Sequence, residues 1–398
     1  MHHSKNVQQI DLPKFEPGRI IKIGAIGVGQ RLRRLICLLL HQQGFNYQFV
    51  ALADESTEAL EATLEAISGF QDSRPQTFSD YRELLAIPDI EWVMIGSKNY
   101  LHVSHSCDAF AAGKHVFSEK PLAIDVEECA RIREAQKVSG KLFATGFVLR
   151  HSLLYSNVHR IVAVEKLLGR LVSVEANETL HPAHGGYIMR NWRRFKDQSG
   201  PHILEKTCHD LDILQWIIGS VPTRVAAFGG TNIFIPENAP STKAEEDYYK
   251  LWPQAWEDVD PFRTEKTIED NVVAILNYRN GVHCTFHTNA CTAWPQRRIL
   301  ICGVKGTLQA DLITSQITYQ LIGPNQPTHI IDISNSDSHG GGDDLIVSDL
   351  ARSMCDGSKP KATGEEGFLS ALICLSIDEA RESQQMVDME PIWTRFGV

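Results

Sequence analysis

Ile20-Ile21-Lys22-Ile23-Gly24-Ala25-Ile26-Gly27-Val28-Gly29-Gln30-Arg31-Leu32 is the stretch on which the fold turns. Ile20–Ile26 is an apolar run bounded by turn residues, the pattern of a buried strand. Two glycines then flank Val28, and Gln30-Arg31-Leu32 opens a helix that Gly44 can end. At such a junction backbone N–H groups can approach an anion at the positive end of the helix. The place where a third small residue would complete a phosphate-binding turn holds Leu32. The motif is therefore truncated, and a strand–helix turn with no ligand fits it as well.

Working outward, strand and helix alternate. Tyr47–Ala53 is an apolar strand ending in Asp54, and Thr57–Ile67 and Tyr81–Leu85 are helical by composition. Ile90–Ile95 is a third strand, His102–Ala112 a helix closed by Gly113, and Lys114–Phe117 another strand. Val126–Val138 is a helix capped by Asp125 and ended near Gly140, and Leu142–Phe147 is a further strand. Apolar, non-alternating strands separated by helices predict a parallel sheet covered on both faces, an α/β unit. Gly27 and Gly29 then stand where a dinucleotide fold places its phosphate turn. Asp54, ending the second strand, can accept from both ribose hydroxyls of an adenosine; a helix-capping aspartate is the other reading. Asp54 followed by Glu55 repels a 2′-phosphate, so NAD is expected rather than NADP. Asn99 falls just past the third strand, at a topological position where ligands bind.

Beyond Arg150 the pattern changes. Leu153–Leu168 is predicted as a helix, Leu171–Thr179 as an alternating strand, and Thr207–Ile218 as a helix ended by Gly219. Pro222–Phe228 is a strand. Asn271–Tyr278, the Asn280-Gly281 turn and Val282–Asn289 form a hairpin. Arg298–Cys302, Thr307–Leu312, Ser315–Leu321 and His329–Ile333 continue a mostly antiparallel sheet with one face available. Asp343–Met354 and Glu366–Glu382 close the chain. Pro236–Pro261 is an insertion whose fold the sequence does not specify. The division expected is a polar extension at 1–19, a nucleotide-binding unit at 20–148 and a substrate-binding unit at 149–398.

Composition removes several classes. The chain has 398 residues, 43% hydrophobic and 22% charged, with 39 basic against 49 acidic residues and a net charge of -10. No basic block points to nucleic acid or an anionic membrane. No apolar run approaches the roughly 20 residues of a membrane helix. The polar N-terminus carries no secretory core. Nine cysteines lie scattered without a Cys-x-x-Cys pair, which suits a reducing cytoplasm.

Three further motifs stand in order: Gly113-Lys114-His115-Val116, Glu119-Lys120-Pro121, and His209-Asp210-Leu211-Asp212 opening the helix to Gly219. Pro121 lacks an N–H and disfavours helix before it, so it turns the chain and holds Lys120 at a strand end. Taken with Gly27-Val28-Gly29-Gln30-Arg31 and Asp54, the chain resembles the Gfo/Idh/MocA family of NAD(P)-dependent sugar and polyol oxidoreductases, from about Ile20 to the C-terminus. The resemblance implies a Rossmann domain followed by a domain with an open-faced, mostly antiparallel sheet. It assigns Lys120 to the substrate hydroxyl and the nicotinamide, and His209 to the general base. Glu205 stands where the family often has Asp; if 205 and 209 share a helix face, Glu205 can orient His209 or hold the substrate. Gln30, Arg31, Asn99, His102 and Glu119 fall beside the cofactor. Arg150 and Tyr155 fall near the cleft.

Lys120 and His209 would suffice for alcohol oxidation. A histidine near its ordinary pKa accepts the proton, and a lysine steadies the alkoxide. Burial beside a cationic nicotinamide should lower the lysine pKa. Tyr187, Trp192 and Arg193 combine donors and aromatics suited to a sugar, and His339 follows as a candidate near the pocket. His181, His184, His202 and Cys208 show no metal-ligand spacing, so no metal is expected. The first expectation is an NAD-dependent dehydrogenase acting on a ring hydroxyl of a sugar, sugar derivative or inositol. A redox-assisted glycoside hydrolase, with Tyr187, His181 or Glu205 as a further base, and a non-catalytic NAD/sugar sensor are the alternatives. A homodimer or homotetramer through the open sheet face is the expected assembly.

Overall fold

The computed structural model describes residues 19–42, 46–252, 259–333 and 340–398. Gly44, the expected end of the first helix, lies outside the described residues, as does His339. The first sheet is built from β1 (Ile20–Ile26), β2 (Asn46–Ala53), β3 (Gln76–Phe78), β4 (Trp92–Ile95), β5 (His115–Ser118) and β6 (Phe143–Thr145). Its order is β3-β2-β1-β4-β5-β6, and every described pairing is parallel. The strands read as continuous apolar runs because both faces are covered; Ile23, Phe49, Trp92, Val93 and Phe117 are all buried. The order reverses between β1 and β4, so the loops after these strands open a crevice at their carboxyl ends.

The second sheet comprises β7 (Leu171–Thr179), β8 (Pro222–Gly230), β9 (Asn271–Tyr278), β10 (His283–Asn289), β11 (Arg298–Gly303), β12 (Gly306–Asp311), β13 (Gln316–Leu321), β14 (Thr328–Asp332) and β15 (Val387–Asp388). Its order is β14-β13-β12-β11-β7-β10-β9-β8-β15. β7 and β10 pair in parallel and the other described pairs are antiparallel. On β9, Val272, Ala274 and Leu276 are buried while Val273 and Ile275 face out, the alternation of a sheet with one packed face. The helices Cys208–Ile218 and Gly364–Ser383 cover the packed face.

The C-terminal segment does not stay with the second sheet. The Thr145 amide donates to the Ala362 carbonyl at 3.0 Å. The Gly342–Asp356 helix packs on Gln30–Leu40, and Gly364–Ser383 reaches β6 as well as β8. The two sheets are thus tied from both ends of the second one.

Some elements differ from expectation. The helix expected over Leu153–Leu168 stops at His159 and widens into a π turn over Arg160–Val164, where branched Ile161, Val162 and Val164 crowd the regular spiral. The helix expected from Asp343 begins one residue earlier, at Gly342, with Gly341 at its N-cap. Pro182–Met189 is helical, although Gly185 and Gly186 each cost about 1 kcal/mol relative to alanine there. Packing requires them: a Cβ at Gly185 would lie 1.8 Å from the Ala290 carbonyl oxygen, and one at Gly186 2.2 Å from that of Tyr249. Tyr249 ends a helix of the insertion, Lys243–Tyr249, which starts with a capping box between Thr242 and Glu245. The double glycine therefore lets the insertion close against Pro182–Met189.

Candidate active site

The nucleotide end forms first. Gly27 has φ 72°, and a Cβ there would stand 2.4 Å from the Ser97 amide nitrogen after β4. Only glycine fits. The Gln30–Leu40 helix begins at Gly29 with no side chain capping it, and a Cβ on Gly29 would meet nothing within 4 Å. First-turn amides without a side-chain cap beside open space form a cradle that fits a pyrophosphate. Leu32, the departure from the expected pattern, has a counterpart across the turn. A Cβ on Gly96 would lie 2.6 Å from the Leu32 Cβ, so the small residue that allows close helix–strand packing sits on β4's end instead.

Asp54 follows β2 directly. Its Oδ1 accepts from the Ser56 amide at 2.8 Å, and the Val28 amide also steadies the carboxylate. Burial outweighs both and holds its pKa above the usual value. The cap of the next helix is Ser56, not Asp54. Asp54 is thus fixed beside the glycine turn, with a carboxylate oriented by backbone.

Of the other residues expected at the cofactor, Arg31, His102 and Asn99 make hydrogen bonds within the protein. Arg31 donates from Nε to Glu119 at 3.0 Å and from Nη1 to Asp343 at 2.9 Å. It ties the glycine-turn helix to the strand end bearing Lys120 and to the Gly342–Asp356 helix. Asp343 also pairs with Arg34 at 3.3 Å. His102 is fully buried, with Nδ1 2.7 Å from the Pro121 carbonyl and Nε2 3.1 Å from that of Ser97. Both nitrogens face backbone carbonyls, so His102 braces the Glu-Lys-Pro turn against the end of β4. The buried Asn99 donates to the Ser199 carbonyl at 2.8 Å, joining the crevice to the second half. Gln30 is exposed on the first helical residue.

The substrate end centres on Lys120. Its Nζ donates to the Glu205 carboxylate at 3.0 Å and to the Glu205 carbonyl. The other carboxylate oxygen accepts from Arg193 Nε at 2.6 Å, and Arg193 Nη1 donates to the Tyr187 hydroxyl at 2.9 Å. The Arg193 guanidinium lies 4.4 Å from the Trp192 ring centroid, on a half-buried indole. Lys120, Glu205, Arg193, Tyr187 and Trp192, chosen separately from sequence, therefore form one connected network.

Two details define the arrangement further. Glu205 ends a separate short helix, His202–Glu205, while His209 begins the turn of Cys208–Ile218. The i, i+4 relation does not hold, and Glu205 orients Lys120 instead of His209. Burial lowers the Lys120 pKa, but the Glu205 charge prevails and holds it above the ordinary value. Glu205 itself, despite burial, is held at about 2 by Lys120 and Arg193. Its stabilisation is present above the ordinary carboxylate pKa of about 4.3 and is lost as pH falls from there toward about 2. Melting temperatures of Glu205→Gln should accordingly drop less than wild type across that acid window; parallel curves would contradict the pairing.

His209 is buried, its ring edge-on to Phe147 with centroids 5.7 Å apart. Cys208, just before it, is pushed up to about 12 by burial, so it stays a thiol beside Lys120. The two acids of His209-Asp210-Leu211-Asp212 were given no role from sequence, and both clamp arginines. Asp212 takes Arg150 through two bonds of 2.7 and 2.8 Å, and Asp210 takes Arg297 through bonds of 2.7 and 2.6 Å. Arg297 also meets Glu178 at 3.2 Å, which pairs with Lys206 at 3.0 Å. Arg150, expected to touch substrate, is thus a buried structural group. Tyr155 is buried too, its phenol pushed up by burial. His181 caps Pro182–Met189 and meets the Tyr248 hydroxyl at 2.9 Å. Among the described residues no cluster of three or more His, Cys, Asp or Glu is arranged to hold a metal.

Comparison with known proteins gives a consistent picture. Residues 21–147 match the profile described as oxidoreductase family, NAD-binding Rossmann fold, and residues 163–389 match oxidoreductase family, C-terminal alpha/beta domain. The 1,5-anhydro-D-fructose reductase of Ensifer adhaerens is 24% identical over 324 residues, covering 79% of this chain and 84% of that protein. The 2,7-anhydro-N-acetylneuraminate hydratase of Escherichia coli (strain K12) is 25% identical over 227 residues, 56% of this chain and 52% of its own length. A levoglucosan dehydrogenase structure in complex with NADH and levoglucosan superimposes with a TM-score of 0.77 at 18% identity, covering 94% of this chain and 100% of that one.

Proposed function

The chain belongs to the Gfo/Idh/MocA family of nicotinamide-dependent oxidoreductases, and from this premise we propose that it moves a hydride between NAD and a ring hydroxyl or ketone of a sugar, sugar derivative or inositol. One observation carries the proposal. An ammonium has three N–H donors, and Lys120 directs two of them at Glu205. The third is left for a substrate oxygen, in a side chain 20% exposed at a strand end of the nucleotide crevice.

The nicotinamide, when bound, supplies the hydride acceptor or donor. Lys120 Nζ steadies the negative charge on the substrate oxygen in both directions, as it develops in oxidation and as it is discharged in reduction. Glu205 anchors the ammonium, and Arg193 anchors Glu205, so the donor is oriented before substrate arrives. His209 takes the proton at a ring nitrogen in oxidation and returns it in reduction. The hydrolase alternative is weaker on this geometry. Glu205 at about 2 is a poor base, and His181 is occupied as a helix cap. A sensor would not need Lys120 held ready for an oxygen.

NAD is preferred over NADP because Asp54, fixed beside the glycine turn and followed by Glu55, accepts from ribose hydroxyls and repels a phosphate. Asp54→Ala should weaken NAD binding about tenfold or more, the worth of a charge-assisted hydrogen bond. Titration of NADH fluorescence checks this; an unchanged affinity would remove the ribose assignment. The open sheet face is the proposed homo-oligomer surface. Phe228 and Val273 are cross-strand neighbours there, 73% and 49% exposed, with Ile275 beside them at 58%. Sedimentation should report a dimer or tetramer, and a monomer at micromolar concentration would contradict the assignment.

A further inference from the structure

The aromatic side of the site extends beyond Lys120. Tyr187 receives the Arg193 bond that leads back to Glu205 and Lys120. Its ring lies 5.5 Å from that of Trp252 at an interplanar angle of 32°. Trp252 also stands edge-on to His184, 4.2 Å away at 70°. Burial and the nearby charges of Lys206, His202, Lys120 and Arg193 push His184 well below its ordinary value, so this part of the wall is neutral. Trp252 comes from the insertion, which the Gly185-Gly186 pair allows to dock. Arg190 Nη2 donates to the Trp252 carbonyl at 3.4 Å and fixes the backbone. Yet 39% of the residue stays exposed. An indole held by two ring contacts and by its backbone, in a residue left partly open to water, is a preformed platform for a flat apolar ligand face.

We propose that Trp252, continued by Tyr187, forms a second subsite for a ring bonded to the reacting sugar, a glycosyl or aryl group presenting an apolar face. The position follows from connectivity: the platform begins a carboxylate and a guanidinium beyond the Lys120 ammonium. A ring there is therefore a neighbour of the one being oxidised or reduced, not that ring itself. This inference rests on the assignment of Lys120 to the reacting hydroxyl.

The test uses the full chain loaded with NAD and matched sets of ligands: methyl glycosides, para-nitrophenyl glycosides and disaccharides that share the same reacting sugar. Calorimetry gives each affinity, and NADH formation is followed alongside. In at least one set the aryl or disaccharide member should bind about tenfold tighter than the methyl member. Trp252→Ala should bring that ratio close to one, and Trp252→Phe should keep most of it. The aryl and disaccharide arms separate the two kinds of ring. Equal affinities within every set, or a ratio that survives Trp252→Ala, would overturn the subsite. If methyl glycosides bind and reduce NAD with no gain from a second ring, the subsite alone falls. If no set binds, the subsite falls together with the Lys120 assignment.

Discussion

Lys120→Met should lower turnover about a hundred- to ten-thousandfold, the range for removal of a positioned acid–base group, while leaving NAD binding intact. Methionine keeps the length and apolar stem of the side chain and removes only the ammonium. Glu205 would still hold Arg193, so the local fold has an anchor without the lysine. The proposed nucleotide cradle is built from Gly27, Gly29 and Asp54, whereas the hydrogen bonds of Lys120 run to Glu205. The loss should therefore appear in kcat, with NADH affinity by fluorescence close to wild type. A variant retaining most of its turnover would mean that Lys120 is only a structural partner of Glu205.

Arg297→Met should be the most destabilising change in the second half. Arg297 and Asp210 exchange two bonds with side chains only 7% and 6% exposed, and Glu178 leans on the same guanidinium. Burial disfavours the Glu178 charge, and Arg297 with Lys206 overcomes that and holds its pKa below the usual carboxylate range. Without Arg297, two buried carboxylates share one lysine. Breaking a buried pair from one side costs about 3–5 kcal/mol, and equilibrium urea unfolding should read it as a lower midpoint. Arg395→Ala, which breaks an exposed pair with Glu127, should leave the midpoint where it is. An equal response to both would mean that the buried cluster is solvated. Asp210 adjoins His209, so the cluster also fixes where the helix carrying the proposed base begins.

The parallel sheet was legible because β1, β2 and β4 are apolar runs followed by glycine, aspartate and turn residues. The Asn280-Gly281 hairpin was legible because its flanks alternate. Lys120, Glu205, Arg193, Tyr187 and Trp192 were picked as separate candidates, and the chain folds them into contact. What the sequence hid was long-range charge pairing. Nothing near Arg150 announces Asp212, and nothing near Asp210 announces Arg297; each pair is closed by tertiary packing. The same holds for Gly96, whose meaning depends on Leu32 across the turn. The Pro182–Met189 helix was hidden by its own glycines, which serve the insertion and not the helix. Whether Glu205 shares a face with His209 was left open by the sequence, and a break at Lys206-Thr207 between two helices decides it.

The central claim is hydride transfer at Lys120. Stopped-flow absorbance of reduced nicotinamide, with enzyme in excess over a panel of sugars, inositols and glycosides, tests it most directly. A single-turnover burst registers the hydride step whether the ketone is the product or is carried further. Wild type should give a burst with at least one ring alcohol, and Lys120→Met should give none on the same timescale. A burst of near wild-type rate from Lys120→Met, or none from wild type across the panel, would contradict it.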